Sequence, residues 1–186
     1  MQALDLLLNR VSVGRLLEPA PDAAQRELMF RAALRAPDHG QLRPWRFITV
    51  EGEARTRLGE LFAEAQAQDP ASKPEALDKA RAMPLRAPLL IVVVARLSEH
   101  PKVPQEEQVL SAGCAAHSLL LAAQALGFGA IWRTGALAQH PHVLAGLGLQ
   151  AGERIVGFLY VGSFEGERRV PQPLEPADFV MAWAGR

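Results

Sequence analysis

The chain has 186 residues, of which 49% are hydrophobic, and its 20 acidic residues balance its 20 basic residues. This length predicts one domain, residues 1–186, with enough apolar side chains to form a core. A formal net charge of zero argues against a nucleic-acid-binding protein, which normally carries a basic surface. The single cysteine, Cys114, excludes an intrachain disulfide and a multi-cysteine metal cluster, and it favours a reducing, cytoplasmic setting.

The sequence predicts no targeting or membrane-spanning segment. The first eight residues are apolar, but the stretch is short, carries Asp5 and lacks both a preceding basic region and a cleavage site. Elsewhere no stretch reaches membrane-spanning length without a polar interruption. We therefore expect neither a membrane nor a nucleic acid as a partner.

The first half of the chain predicts four helices and one strand. A short helix covers residues 3–9. A second helix begins at Asp22, which can cap it while Gln25 bonds back in a capping box, and it ends near Arg35 because the residue before Pro37 avoids helical angles. An aromatic and β-branched strand, an amphipathic helix and a short charged helix follow over residues 45–50, 53–68 and 75–81.

The second half is dominated by a buried strand and a long helix. Residues 89–95 are apolar without interruption, which is typical of a strand buried on both faces. The helix predicted over residues 106–126 is small and apolar almost all round from Val109 onward, so we expect it at the centre of the fold or at a subunit interface. Within it, Cys114 is predicted to be a small buried hydrophobic residue and His117 a satisfied core histidine.

A strand over residues 130–133, a helix over 142–147 and a strand over 154–161 complete the predicted elements. Together they predict an α+β fold in which helices cover a sheet. The tail from Arg168 is rich in proline and ends in aromatic residues, which suits an arm laid across a surface, such as that of a partner subunit.

Three polar segments are candidates for a ligand site. Residues 9–15 contain two arginines and Ser12, which suit a phosphate, although arginines also favour the negative end of a helix. Arg35 and His39 flank a proline in a polar loop; they suit a flat heterocycle, or are an ordinary helix-end arginine and a loop histidine. The third segment is Trp132-Arg133-Thr134-Gly135. It either ends a strand at the position where α/β folds bind ligands, or is a turn that carries a core tryptophan.

Other common sites are absent from the sequence. No G-x-G-x-x-G motif follows a strand, and no G-x-x-x-x-G-K-[ST] motif occurs. His140 and His142 straddle Pro141, but a zinc site would need a further clustered ligand. We expect no metal centre.

Several motifs occur in a specific order: Asn9-Arg10-x-Ser12, then Arg35-Ala36-Pro37 leading to Pro44-Trp45-Arg46-Phe47, then Gly127-Phe128-Gly129-x-x-Trp132-Arg133, and Val156 to Gly162. In this order they resemble the FMN-dependent nitroreductase family. Three further motifs are similar to its YdjA-like subgroup of NAD(P)H nitroreductases: Ala36-Pro37-Asp38-His39, Lys102-Val103-Pro104 and Ser111-Ala112-Gly113-Cys114-Ala115. The resemblance extends from Ala3 to about Phe179.

The resemblance implies a nitroreductase-like sandwich, with a mixed, mainly antiparallel central sheet flanked by helices. It also implies an intertwined homodimer that holds two FMN molecules at its interface, each contacted by both subunits. In such a protein FMN carries the redox chemistry, so no side chain is assigned as catalytic.

The resemblance also implies the residues of the site. Arg10, Val11 and Ser12 match the segment that holds the FMN phosphate, and Arg169 or Arg168 matches a basic residue that reaches it. Arg35 and His39 match positions that touch the flavin from the partner subunit. Trp132, Arg133 and Thr134 match the strand end that lies against the isoalloxazine ring. One further segment matches nicotinamide-nucleotide binding, or is equally a core helix: Leu121, Ala122, Ala123, Gln124, Ala125 and Leu126.

Three features depart from the family pattern. The usual Arg-Arg-Ser opening is Arg10-Val11-Ser12, which removes one potential contact to the phosphate or ribityl chain. Gln41 stands where many members have asparagine, and Arg43 where many have glutamine, so the preferred substrate is open. The inserted helical region of the larger members is absent, so the pocket is either open or narrowed by other elements.

The predicted function is an FMN-dependent oxidoreductase that transfers hydride from NADH or NADPH through FMN to a nitroaromatic, quinone or similar electron-poor acceptor in a ping-pong reaction. Two alternatives stay open. The chain could be a flavin sensor or FMN carrier without turnover, or the scaffold could carry flavin-destructase or dehalogenase chemistry, because a fold does not fix a function.

Overall fold

The computed structural model describes residues 2–185. Six α-helices lie in this range: α1 Ala3–Leu8, α2 Ala23–Ala33, α3 Glu53–Ala67, α4 Pro74–Ala82, α5 Gln105–Ala125 and α6 Pro141–Gly146. Four strands lie between them: β1 Trp45–Glu51, β2 Leu89–Arg96, β3 Gly129–Arg133 and β4 Glu153–Gly162. None of the helices in residues 2–185 has the length and apolarity needed to cross a membrane.

All ten predicted elements are confirmed, and their ends agree with the prediction to within two residues. The capping box of α2 is present: the Gln25 amide donates to the Asp22 carboxylate at 2.8 Å, and the Asp22 amide donates to the Gln25 side chain at 2.9 Å. The sequence pattern was reliable here because caps and prolines act locally.

The four strands form one sheet in the order β1-β2-β4-β3, and each neighbouring pair is antiparallel. The predicted α+β architecture is therefore confirmed. β2 lies inside the sheet, and its residues from Leu89 to Ala95 are buried, as their continuous apolar sequence predicts.

Successive residues of β2 point to opposite faces of the sheet, and each face packs against helices. Ile91 and Val93 belong to a core that includes residues of α2 and α5. Leu90 and Val92 belong to a second core that includes residues of α3, α4 and α6. The sheet is thus covered by helices on both faces, with α5 on the same face as α2.

Two burial predictions for residues of α5 are wrong. Cys114 and His117 are exposed rather than buried, and Leu110 between the first turn and Cys114 is 67% exposed. These three residues are spaced by four and three positions, which places them on the same side of a helix. The residues opposite, such as Ala112 and Ala116, are fully buried, so α5 has only one inward face.

The tail after β4 runs as irregular chain with one short 3₁₀ turn at Pro176–Asp178. Its large apolar side chains are exposed: Val170, Leu174, Phe179, Val180, Met181 and Trp183. The arm therefore does not bury these side chains in the core of its own chain.

An ion pair closes the end of the sheet where β4 begins. The Glu153 side chain is only 8% exposed and accepts hydrogen bonds from Arg46 Nε at 3.0 Å and Arg46 Nη2 at 2.6 Å. The hydrogen bonds from Arg46 lower the pKa of Glu153, against an opposing effect of burial. Because its folded-state pKa is depressed, the stabilisation is present above the unfolded pKa and is lost as the pH falls through the folded value.

Glu153→Gln is therefore expected to lower the free energy of unfolding at pH 7 by about 1–3 kcal/mol, the usual range for a hydrogen bond to a charged group. Chemical denaturation at pH 7 and between about pH 5 and pH 3 measures the effect, and the variant should lose less stability over the acidic range. Glu53→Gln is the control, because Glu53 is 94% exposed and 3.9 Å from Arg57. Equal acid sensitivity of Glu153→Gln and the natural protein would contradict this account.

Candidate functional site

The segment after α1 crosses the free edge of β3 and is fixed at two points. The Val11 amide donates to Oε1 of Gln124 in α5 at 3.3 Å, and the Val13 amide donates to the Ala130 carbonyl of β3 at 3.0 Å. The Val11 side chain is buried, whereas Ser12 is exposed and Arg10 half-buried. The segment therefore turns Val11 inward and leaves the Ser12 hydroxyl and the Arg10 side chain near the surface.

Arg169 lies beside this segment. A cleft of about 230 Å³ is lined by α1, by the end of α5 and by the first residues of the arm: Asp5, Asn9, Gln124, Arg168, Arg169, Val170 and Pro171. Arg168 donates to the Phe128 carbonyl at 3.2 Å and its guanidinium lies 4.7 Å from the Phe164 ring. Arg168 is therefore engaged in structural contacts, which leaves Arg169 as the more exposed of the two cations.

The loop that carries Arg35 and His39 is held by Asp38, which was named from the sequence only within a motif. Asp38 accepts hydrogen bonds from the Leu42 amide at 3.1 Å and the Arg43 amide at 2.7 Å. These bonds hold a tight turn in which Gln41 and Arg43 adopt positive φ angles of 53° and 49°. Non-glycine residues with such angles are uncommon and occur more often at functional sites.

His39 is joined to the first half of α5. Its Nδ1 lies 2.7 Å from Oε2 of Glu107, and both side chains are about half exposed. The carboxylate favours the imidazole tautomer that is protonated on Nδ1. Arg35 is exposed and lines a cavity of about 440 Å³ together with Asp38, Arg43 and Trp45.

The end of β3 sends its side chains to opposite faces of the sheet. Trp132 packs with the α5 core, next to Gly157 of β4 and with its ring 3.9 Å from the position of a Cβ on Gly113. The two glycines leave the space that the indole fills. Thr134 follows the strand and is exposed.

Arg133 points to the other face. Its guanidinium lies 5.8 Å from the centre of the Tyr160 ring, and its Nε is buried without a hydrogen-bond partner in the described chain. Burial raises the pKa of Tyr160, while the charges of Arg133 and Arg86 act in the opposite direction. A buried donor without a protein partner is rare in folded proteins, so this Nε is available to a water, an ion or a ligand atom.

The predicted nucleotide segment forms the last turns of α5. Ala123 and Gln124 are buried; Leu121, Ala122 and Leu126 are half-buried; Ala125 is exposed. The Gln124 amide is occupied by backbone groups, because Nε2 donates to the Asn9 carbonyl at 3.1 Å and Oε1 accepts from Val11.

The contacts along α5 locate the predicted site residues relative to one another. The Arg10 segment is attached to Gln124 near its end, Trp132 lies beside Gly113 and His39 is attached to Glu107 near its beginning. At 1.5 Å per residue, Glu107 and Gln124 are about 25 Å apart along the axis. The structure thus places the segment of Arg10 and Ser12 and the Arg169 cleft at the same end of α5, where Asn9 and Gln124 line that cleft, and it keeps His39 at the other end of the helix.

The model of the family described as "Nitroreductase family" matches residues 7–163, which includes every one of these segments except the arm. The chain belongs to the nitroreductase family. The resemblance stated from the sequence motifs is thereby confirmed.

Individual relatives agree with this assignment. The chain is 49% identical over 163 residues to the protein named "Putative NAD(P)H nitroreductase YdjA" of Escherichia coli strain K12, an alignment that covers 88% of each protein. A nitroreductase-like family protein from Bacillus cereus has a similar fold, with a TM-score of 0.83, 24% identity and coverage of 100% of this chain and 97% of that one. A nitroreductase with bound FMN from Bacteroides fragilis NCTC 9343 gives a TM-score of 0.74 at 22% identity, over 96% of this chain and 97% of that one.

Sequence reasoning missed three residues that support the site of this nitroreductase. Asp38 was named only within a subgroup motif and Gln124 only within a nucleotide segment, and Glu107 was not identified. The spacing Asp38-x-x-x-Leu42 offered a local signal, since short aspartate side chains often bond backbone amides in turns. Glu107 and Gln124 offered none, because their partners are 68 and 113 residues away.

Proposed function

We propose that this nitroreductase is an FMN-dependent NAD(P)H oxidoreductase that transfers hydride through FMN to an electron-poor acceptor such as a nitroaromatic or a quinone. The observation that carries the proposal is the segment of residues 9–13, fixed by α5 and β3, which leaves Arg10 and Ser12 near the surface. A guanidinium and a hydroxyl are the donors that suit a phosphate. The two relatives support the cofactors: one is described with bound FMN, and the other is named as an NAD(P)H nitroreductase.

The residues present fit FMN. Arg10 and Ser12 would hold the phosphate by charge-assisted hydrogen bonds, with Arg169 supplying further positive charge from the neighbouring cleft. At the end of β3, Thr134 and the buried Nε of Arg133, a donor without an acceptor in the described chain, would lie at the flavin ring. Trp132, whose indole packs on the opposite face of the sheet, would support this strand end from the α5 side. When bound, FMN would supply the chemistry by accepting a hydride from the nicotinamide and passing electrons to the acceptor.

The chain's own residues would bind and orient these molecules. The positive charge of Arg133 would favour negative charge on the adjacent ring, because preorganised charges act strongly in a site from which water is excluded. Glu107 would hold His39 in one tautomer through the 2.7 Å contact to Nδ1. No side chain is assigned as a general base, because bound FMN would itself supply the hydride chemistry.

We further propose that the protein acts as a homodimer and that Arg35 and His39 reach the FMN of the other subunit. The separation of about 25 Å along α5 between the His39 and Arg10 attachments supports this arrangement, because one subunit then need not supply both groups to one flavin. The exposed side of α5 around Leu110 and the apolar arm that ends at Trp183 support it as well. Large exposed apolar patches commonly mark interfaces.

We propose that NADH or NADPH binds near the end of α5, in the segment from Leu121 to Leu126. Only its half-buried and exposed members are accessible for direct contact: Leu121, Ala122, Ala125 and Leu126. Ala123 and Gln124 are buried, so they would support this surface without contacting the nucleotide.

Arg133→Met tests the flavin contact at the strand end. We expect the variant to bind FMN about tenfold more weakly, because a charged donor to the ring is lost. We expect the unfolding temperature of the apoprotein to stay the same or rise, because a buried donor without a partner is removed. Fluorescence titration with FMN and thermal unfolding of the apoprotein measure the two effects.

Arg86→Met is the control for this prediction, because Arg86 also acts on Tyr160 but is not assigned to the flavin. Unchanged FMN binding in Arg133→Met, with a less stable apoprotein, would contradict the assignment and give Arg133 a structural role.

Steady-state kinetics with the FMN-loaded protein test the proposed function. NADH and NADPH are varied separately against a nitroaromatic and a quinone, and the products are identified by mass spectrometry. Parallel double-reciprocal lines with reduced acceptor as product are expected for a ping-pong reaction. A loaded protein that consumes neither nucleotide would contradict the enzymatic proposal and favour a flavin sensor or carrier.

A further inference from the structure

We propose that Gln124 is a positioning residue for the FMN phosphate site: it sets the backbone of Arg10 and does not itself contact FMN or the nicotinamide nucleotide. This inference rests on the proposed function, since it assumes that Arg10 and Ser12 hold the phosphate. Gln124 is 5% exposed, and its side chain bonds two backbone atoms of the segment after α1.

The two hydrogen bonds of Gln124 hold the backbone on either side of Arg10. Nε2 of Gln124 donates to the carbonyl of Asn9 at 3.1 Å, and Oε1 accepts from the amide of Val11 at 3.3 Å. These atoms belong to the two peptide groups on either side of the Arg10 Cα. Because peptide groups are planar, fixing both of them restricts the φ and ψ angles of Arg10 and hence the direction of its side chain.

The side-chain amide of Gln124 provides both bonds. It carries a donor and an acceptor on one planar group, whereas a carboxylate has only acceptors and an aliphatic chain has neither. Replacing Gln124 by an aliphatic residue would also leave the Asn9 carbonyl and the Val11 amide without hydrogen-bond partners in a partly buried position. An unpaired buried polar group costs free energy, so the backbone at Arg10 would shift to pair these groups elsewhere. The segment would then keep only its second attachment, from Val13 to Ala130.

The position of Gln124 also fits this role. It lines the cleft of about 230 Å³ whose other walls include Asn9 of the segment and Arg169 of the arm. A buried neutral amide at this point holds the backbone on both sides of Arg10 without adding to the negative charge that Asp5 brings to the cleft.

Two variants of Gln124 test the inference. Gln124→Leu removes both bonds, and Gln124→Glu keeps the acceptor for Val11 but loses the donor to Asn9. The measurements are the dissociation constant of FMN from fluorescence titration, the exchange rate of the Val11 amide hydrogen in the apoprotein, and kcat and KM for NADPH and NADH at saturating FMN.

We expect Gln124→Leu to raise the FMN dissociation constant by 10-fold to 100-fold and to speed Val11 amide exchange by at least 10-fold. For Gln124→Glu we expect at least a 10-fold rise in the FMN dissociation constant. Once FMN is saturating, KM for both nucleotides should change by less than about twofold in either variant.

Gln108 offers a matched control on the same helix. It is 1% exposed and its amide also bonds backbone atoms, those of Ser98 and Val103. Gln108→Leu and Gln108→Glu should lower the unfolding temperature by a similar amount but leave the FMN dissociation constant within about twofold. If Gln124→Leu does not fold, Gln124→Met compared with Gln108→Met decides the question, because methionine removes both hydrogen bonds and, unlike glutamate, adds no negative charge near the phosphate.

The outcomes separate this inference from the proposed function. If the natural protein does not bind FMN, the proposed function fails. If the natural protein binds FMN and the Gln124 variants bind it equally well, the positioning role is overturned while the proposed function stands. A raised KM for NADPH or NADH with an unchanged FMN dissociation constant would also overturn it, in favour of direct nucleotide binding.

Discussion

Arg10→Glu is expected to purify as a colourless apoprotein and to bind added FMN at least about 100-fold more weakly than the natural protein. A charge-assisted hydrogen bond contributes about 1.5–3 kcal/mol, and the substitution replaces this attraction with repulsion of the phosphate. The backbone should tolerate the change, because the segment is held through the amides of Val11 and Val13 rather than through the Arg10 side chain. Absorbance after purification and fluorescence titration with FMN measure the effect.

Arg15→Glu is the control for charge reversal in the same region. Arg15 is exposed, lies beyond the attachment at Val13 and is not assigned to the phosphate. It should retain FMN binding to within a few-fold. A yellow Arg10→Glu protein with full FMN occupancy would show that the phosphate binds elsewhere.

Gly157→Ala is expected to displace the Trp132 indole and to lower the unfolding temperature by about 2–12 °C. A methyl group at Gly157 would overlap the indole nitrogen, and α5 lies on the other side of the ring, so the side chain has little room to move. Overfilling a packed core typically costs about 1–3 kcal/mol, which corresponds to about 2–4 °C per kcal/mol in a protein of this size. Thermal unfolding measures stability, and the tryptophan and flavin emission spectra report the displaced ring.

Gly113→Ala tests the same indole from the opposite side. A Cβ at Gly113 would lie 3.9 Å from the Trp132 ring, which is an ordinary van der Waals distance, and alanine favours a helix over glycine by about 1 kcal/mol. This variant should be as stable as the natural protein or more so. If Gly157→Ala and Gly113→Ala changed the unfolding temperature equally, the space at Gly157 would not determine the position of Trp132.

Much of the fold could be predicted because its signals are local. The capping box at Asp22, the proline after α2 and the uninterrupted apolar run of β2 each concern residues within a few positions of one another. Strand pairing and strand order depend on contacts across the chain: the mainly antiparallel sheet came with the family resemblance rather than from periodicity, and the order β1-β2-β4-β3 was not predicted.

Burial on α5 could not be predicted in the same way. Its sequence is apolar on nearly every side, which led to the wrong prediction that Cys114 and His117 are buried. Within residues 2–185 the main packing partners of this helix are the sheet and α2, and the side that carries Leu110 stays exposed. Composition alone does not distinguish a helix buried in its own core from one that offers a face to another subunit.

The residues of the candidate site were predicted by motif, but their support was not. Arg10 and His39 are recognisable in the sequence, whereas the residues that hold them, Gln124 and Glu107, are distant from them along the chain. The positive φ angles of Gln41 and Arg43 were equally hidden, because neither is a glycine. Such support depends on the assembled fold.

An absorbance spectrum of the purified protein, followed by anaerobic titration with NADPH and then NADH, tests the central claim most directly. We predict a yellow protein whose flavin absorption bleaches on addition of at least one of the two nucleotides, which would also identify the electron donor. A colourless protein that does not take up added FMN would contradict the assignment of Arg10 and Ser12 to a flavin phosphate and the function built on it. A yellow protein that neither nucleotide reduces would contradict the reductase activity alone.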